Sequence, residues 1–254
     1  MRRRAIAIIP ALDEQSAIGA VVRGVAAHVD AVVVVDNGSR DDTAAIAKEA
    51  GAEVVSEPRR GYGRACLAGM ARARELEADV VLFLDADGSD DPEEAPALLE
   101  AVESGGYDLA LGVRRRTGVE RGAMTGAQRF GNWLAPLLMR VSVGAAYEDM
   151  PPFKACAAAA LDRLELRDAG HGFTIELLMR AHEEGLRVAQ IPVRCRVRRG
   201  GESKVSGTIA GASRAAVKIV STIGRQAAGA HARRALGYLR AKKPWARAAP
   251  RSES

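Results

Sequence analysis

Between Ala5 and Leu84 the chain alternates short, unbroken apolar runs with segments of helical periodicity, and this alternation constrains the fold more than any other feature. Ala5 to Pro10 and Val80 to Leu84 read as buried strands, Ala31 to Val35 is five apolar residues too β-branched for a comfortable helix, and Glu53 to Ser56 reads as a further strand. Between them, Ser16 to His28 sets Ile18, Val21, Val22 and Val25 on one helical face. A second helix is capped by Asp41-Asp42-Thr43 and stopped by Gly51, and a third runs from about Ala65 to Glu77 after a Gly-rich loop. Strand and helix at this spacing predict right-handed βαβ units: an α/β, Rossmann-like, mostly parallel sheet with helices on both faces. In such sheets ligands sit outside the carboxyl ends of the strands. Polar residues do follow each run: Asp13-Glu14, Asp36-Asn37-Gly38-Ser39, Arg59 to Arg64, and Asp85-Ala86-Asp87-Gly88.

The second half is less regular. Tyr107 to Val113 reads as a strand, Gln128 to Val141 and Thr174 to Glu184 as helices, and Arg187 to Val197 as a strand with an edge or bulge at Pro192. From Ser206 onward the pattern is helical and increasingly basic. The expected organisation is one catalytic domain over residues 1–222 and a basic tail over 223–254.

The net charge of +5, from 37 basic and 32 acidic residues, is unevenly placed. Residues 225–254 hold eight basic residues and one acidic, which leaves the body of the chain slightly acidic and argues against a nucleic-acid binder. Cys66, Cys156 and Cys195 are odd in number and widely spaced, fitting neither a disulfide framework nor a C-x-x-C metal site, and place the chain in a reducing compartment. The four histidines show no ligand spacing, so zinc is not expected. No secretion signal is expected from the short, Pro10-containing segment after Arg4, and no run of about 18 apolar residues occurs. A cytoplasmic protein is expected, with the basic tail and its Trp245 suited to the anionic face of a membrane.

Asp85-Ala86-Asp87 carries the clearest chemistry: two carboxylates one residue apart at a strand end suit a hard cation, Mg²⁺ or Mn²⁺, of the kind that neutralises phosphates. Asp36 and Asn37 offer an acceptor and a donor to a nucleobase edge, and Gly38 allows close backbone approach. Read alone, each of these is also an ordinary turn.

Taken in order, Ile9-Pro10-Ala11-Leu12-Asp13-Glu14, Val35-Asp36-Asn37-Gly38-Ser39, Gly61-Tyr62-Gly63-Arg64-Ala65, Leu84-Asp85-Ala86-Asp87-Gly88, Gly112-Val113-Arg114, Thr125 to Asn132, Glu148 to Ala155, Gly172 to Glu176 and Arg198 to Lys204 resemble the successive motifs of family 2 glycosyltransferases. The similarity is to the dolichyl-phosphate mannosyltransferase-like, polyprenyl-phosphate branch. The resemblance implies a GT-A fold and inverting transfer of a hexose from a GDP- or UDP-sugar. It implies that Pro10, Ala11, Glu14, Asp36, Gly38, Gly63 and Asp85 surround the donor nucleotide, and that Asp85 and Asp87, with Ser89, hold the divalent cation. It further assigns Asp149, Arg114 and Arg129 to catalysis, and Arg129, Arg199, Ser203 and Lys204 to the donor and acceptor phosphates.

Two acceptors fit. A phosphate, polyprenyl phosphate in this branch, is already anionic and needs no base, leaving Asp149 to orient a cation; a soluble hydroxyl acceptor needs Asp149 as the base. Ser89 stands where the family often has Gln, and Pro151 where it has Gly. A sugar nucleotidyltransferase is a more remote alternative, and it calls for a Gly-rich, Lys-containing loop where Asp13-Glu14 stand.

Overall fold

In the computed structural model, residues 3–115, 118–199, 217 and 219–230 are described. The strands and helices are β1 (Ala5–Ala11), α1 (Ile18–Ala26), β2 (Ala31–Asp36), α2 (Thr43–Glu49), β3 (Glu53–Ser56), α3 (Tyr62–Glu75), β4 (Val80–Phe83), α4 (Ala95–Glu103), β5 (Leu109–Val113), α5 (Gly126–Val143), β6 (Lys154–Ala157), α6 (Ala158–Leu164), α7 (Phe173–Glu183) and β7 (Val188–Pro192). They build a seven-stranded sheet of order β3-β2-β1-β4-β6-β5-β7. Six strands share one direction; β6 alone runs antiparallel, paired with β4 on one side and β5 on the other.

Strand side chains alternate between faces, so each strand feeds two cores. Ile6, Ile8, Val33, Val35, Val81 and Phe83 join one cluster with α3, α5 and α7. Ala7, Ile9, Val32, Val34, Leu82 and Leu84 join the other with α1 and α4, through Ile18, Val22, Val25, Leu98 and Val102. Coverage of both faces explains why these strands are apolar throughout instead of alternating. At Gly69 a β-carbon would collide with the Ile8 side chain, so the glycine sets how closely α3 lies on the sheet.

Three departures from the sequence reading have physical causes. The strand expected through Val197 stops at Pro192, which has no N–H to extend the ladder. Beyond it, Cys195 makes only isolated bridges to Asp90 and Val119. Neither α4 nor the β6–α6 pair was expected; β6 is four residues of sequence KACA, too short and too poor in β-branched residues to announce itself. Residues 219–230 form a helix that spans the expected boundary at 222/223, and Ile223, 3% exposed, packs in the core. The basic residues from 231 onward lie outside the described residues.

Candidate active site

A cavity of ≈ 530 Å³ opens where the carboxyl ends of β1 and β4 diverge, the position at which the strand order reverses. Its walls come from both halves of the chain. Pro10 and Ala11 end β1 and Glu14 follows it, Asn37 follows β2, and Asp85, Ala86 and Asp87 follow β4; Arg114, Gln128, Asn132, Met150, Pro152, His171, Thr174 and Arg198 close the other side.

The loops after β1, β2 and β3 hold one another. Asn37 is buried, its Nδ2 donates to the carbonyls of Glu57 (2.8 Å) and Arg59 (3.0 Å), and its Oδ1 accepts from the Gly61 N–H (2.8 Å). Asn37 therefore shapes the 57–61 loop, and its side chain is spent on that task. Asp36 accepts from the Ser39 N–H at 3.2 Å, a local turn, and together with Gly38 it lies outside the cavity lining. Gly63 also lies outside it: its N–H donates to the Gly170 carbonyl at 3.0 Å, and a β-carbon there would strike the Asp168 carbonyl. Glu14 is fixed through its backbone N–H to Thr43 Oγ1 (2.8 Å) and points its carboxylate at Arg198 (2.9 Å).

The acidic loop after β4 folds on itself. The Asp85 N–H donates to Asp90 Oδ2 (2.9 Å), the Ser89 N–H to Asp87 Oδ1 (2.9 Å), and Gly88 supplies the left-handed turn with φ 73°. Burial, with Asp90 and Asp87 alongside, raises the Asp85 carboxyl well above the ordinary carboxylate range. Burial also lifts Asp90 to about 6. Carboxylates crowded to this degree are short of positive charge, which is the electrostatic condition a divalent cation relieves. Among the described residues no three acidic, His or Cys side chains converge on one point. The residues fit a cation held by Asp85 and Asp87 and completed by phosphate oxygens and water, the usual arrangement for Mg²⁺-type sites. Ser89 lies outside the cavity lining, with its backbone N–H on Asp87 and its carbonyl accepting from Arg196 (2.8 Å).

Across the cavity Arg114 and Asp149 form one unit. Asp149 is 4% exposed; its Oδ2 accepts from Arg114 N (3.1 Å) and Nε (2.8 Å), and its Oδ1 from Arg114 Nη2 (2.9 Å) and Met150 N (2.7 Å). Burial works against the Arg114 charge, yet the pair with Asp149 carries its pKa above the usual guanidinium value. Arg129 is exposed and donates to the Met124 carbonyl (3.0 Å), away from the cavity. Arg115 pairs with Glu148 at 3.1 Å in solvent. Arg199 lies over Gly88 and donates its N–H to the Asp87 carbonyl (3.0 Å). Ser203 and Lys204 lie outside the described residues. Sequence reasoning missed Arg198, which reaches Glu14 and, at 3.6 Å, Asp87. It also missed Asp90 and Asp91; the Asp-Pro step at 91–92, where Asp91 accepts from the Glu93 N–H (3.3 Å), was a legible cap signal.

Residues 6–163 match the family model described as "Glycosyl transferase family 2". The chain is 33% identical to an undecaprenyl-phosphate mannosyltransferase of Micrococcus luteus, over 71% of this chain and 77% of that one. It is 31% identical to a polyprenol monophosphomannose synthase of Mycolicibacterium smegmatis, over 81% and 82%. Among solved structures, the Mycobacterium tuberculosis glucosyl-3-phosphoglycerate synthase in complex with Mn²⁺, UDP-glucose and phosphoglyceric acid superposes with a TM-score of 0.70 at 26% identity, covering 89% of this chain and 80% of that one.

Proposed function

Because the chain belongs to glycosyl transferase family 2, we propose that it moves a hexose, with inversion, from a nucleoside-diphosphate sugar to an acceptor phosphate, polyprenyl phosphate foremost. The observation that carries this reading is the state of Asp149. All four lone-pair directions of its carboxylate are taken by Arg114 and the Met150 N–H, so neither oxygen has a position left to receive a proton from an acceptor hydroxyl. A hydroxyl acceptor needs a base; a phosphate acceptor does not.

In this reading the cavity is divided by task. Pro10, Ala11 and Glu14 bound the nucleoside, and Asp85 and Asp87 face the diphosphate. A bound Mg²⁺ or Mn²⁺ supplies countercharge to the departing diphosphate. Asp149 fixes the Arg114 guanidinium at the cavity wall through Nε and Nη2, which leaves Nη1 to meet a phosphate oxygen. An acceptor phosphate oxygen attacks the anomeric carbon from the face opposite the diphosphate; the new C–O bond forms as the old one breaks, and no proton has to leave.

The exposed face of α5 supports a lipid-borne acceptor. Phe130, Trp133, Leu137 and Val141, all at least 41% exposed, fall at steps of three and four along one helix face. α5 carries Arg129 and Arg140 and no acidic residue, and its Gln128 and Asn132 line the cavity. An apolar stripe with cationic flanks suits an anionic membrane surface, with the catalytic unit resting on it and the basic residues beyond 230 adding attraction. Among the described residues no helix is long and apolar enough to cross a membrane.

The deciding experiment offers undecaprenyl phosphate, the matching dephosphorylated alcohol and 3-phosphoglycerate to the protein with GDP-mannose or UDP-glucose and Mn²⁺. Transfer to the lipid phosphate alone is expected. A second reading, a soluble phosphorylated acceptor, is favoured by the likeness to the synthase crystallised with phosphoglyceric acid, and transfer to 3-phosphoglycerate alone establishes it instead.

A further inference from the structure

Asp91 is the one carboxylate among the described residues at 0% exposure, and the reaction proposed above makes no use of it. An ionised carboxylate is costly to bury unless donors and cations meet both of its oxygens. Here they do. Oδ1 accepts from the Glu93 N–H (3.3 Å) and so fixes the side chain to its own turn, while Oδ2 faces the chain beyond β7, meeting Arg196 Nη2 at 2.6 Å and Arg194 Nη2 at 3.1 Å. Arg194 is held a second time, by Glu94 through Nε at 2.7 Å. None of the residues from Arg196 to Arg199 is buried, so apolar packing does not set the course of this segment. A second cavity, of ≈ 190 Å³ and bounded by Ala20, Val21 and Gly24 of α1 together with Arg196 and Arg199, leaves it without close-packed backing from that helix. Polar ties place it instead: the Arg196 N–H donates to the Ser89 carbonyl (2.8 Å), the Arg199 N–H to the Asp87 carbonyl (3.0 Å) and the Val197 N–H to Glu120 Oε2 (2.8 Å).

The arginines alternate along this segment. Arg194 and Arg196 grip Asp91, and Arg198, the next in the series, enters the main cavity between Glu14 (2.9 Å) and Asp87 (3.6 Å). Two residues of chain span at most about 7 Å, so the place of Arg196 governs where Arg198 can reach. We propose that Asp91 is a positioning residue of the donor site: by gripping Arg194 and Arg196 it sets residues 194–199 against the acidic loop and delivers Arg198 to the cavity, where its guanidinium meets the diphosphate of the donor. The diphosphate half of this inference rests on the proposed function; the anchoring half does not. An asparagine at position 91 keeps the shape and the bond to the Glu93 N–H but removes the charge. Arg194 and Arg196 then face a neutral amide and repel each other, and Arg198 loses its fixed origin.

The test has two arms, run on Asp91→Asn and, should that variant fail to fold, on Arg196→Gln, which breaks the same pair from the other side. In protein without nucleotide or metal, hydrogen exchange is followed at the Arg196 and Arg199 amides and across β1 to β4. Exchange at the two amides should rise about tenfold or more while the strand amides keep their wild-type rates. Unchanged amides, or a rise shared equally by the strands, overturn the anchoring role. In the second arm the Kd of UDP and of GDP is measured by calorimetry with Mn²⁺ present, for the wild type, Asp91→Asn, Arg198→Met and the double variant. Each single variant should weaken the tighter-binding nucleotide about fivefold or more, and the double variant should stay within about twofold of Arg198→Met, because Asp91 then has nothing left to position. Undiminished affinity in Asp91→Asn overturns the proposal. So does a loss repeated in full without Arg198, since a defect of the acidic loop itself does not need Arg198. If the wild type binds neither nucleotide, the functional reading fails, and the exchange arm still decides the anchoring role of Asp91.

Discussion

The two halves of the cavity are built in different ways. The donor half, from β1 to β4, is assembled from loops that follow their own strands, and its residues are positioned by neighbours on the parallel sheet, as when Asn37 pins the 57–61 loop. The acceptor half is assembled across long stretches of chain: Asp149 meets Arg114 35 residues earlier, and β6 is slotted antiparallel between β4 and β5. The difference teaches that one half is a property of the βαβ pattern, while the other is an addition that the pattern does not dictate.

Substitutions can break or sharpen this division. The largest effect is expected on the donor side, where Asp87→Ala should lower turnover about 10²–10³-fold with the fold intact, measured as Mn²⁺-dependent release of nucleoside diphosphate. Retained turnover would show that the acidic loop is structural only. Asn37→Ala removes three hydrogen bonds and should cost about 2–3 kcal/mol in urea unfolding, with weaker nucleotide binding. A loss in stability without any change in nucleotide affinity would detach the loop from the donor. On the acceptor side, Asp149→Asn should reduce turnover about tenfold, mainly by raising the acceptor KM, as Arg114 loses its charged anchor. A near-complete loss with an acidic limb appearing in the pH profile of the wild type would return Asp149 to the role of base. Trp133→Glu should weaken co-sedimentation with anionic vesicles about tenfold while leaving nucleotide binding untouched. Arg115→Ala, at the exposed pair with Glu148, should shift stability by less than about 0.5 kcal/mol.

The same division explains what could be read in advance. The strands β1 to β4 and their polar ends are legible because fully apolar, β-branched runs such as Val32 to Val35 have few alternatives, and because each loop takes its meaning from the strand before it. The burial of Lys154 was not legible, since nothing in Phe153-Lys154-Ala155 indicates that the ammonium ends up against the Phe83 ring. Arg114 and Arg129 look alike in sequence, yet one is anchored at the cavity wall and the other faces away from it. Only the crossing of distant segments distinguishes them.

Arg198 closes the cavity by reaching back 184 residues to Glu14. A ribosome feeds out the chain from its amino end, so the loops after β1 and β4 emerge long before Arg198 is made. The contact that joins the first loop of the protein to its last described segment before residue 200 therefore forms late in synthesis. Until Arg198 is made the nascent polypeptide carries a pocket that lacks the tie between Arg198 and Glu14.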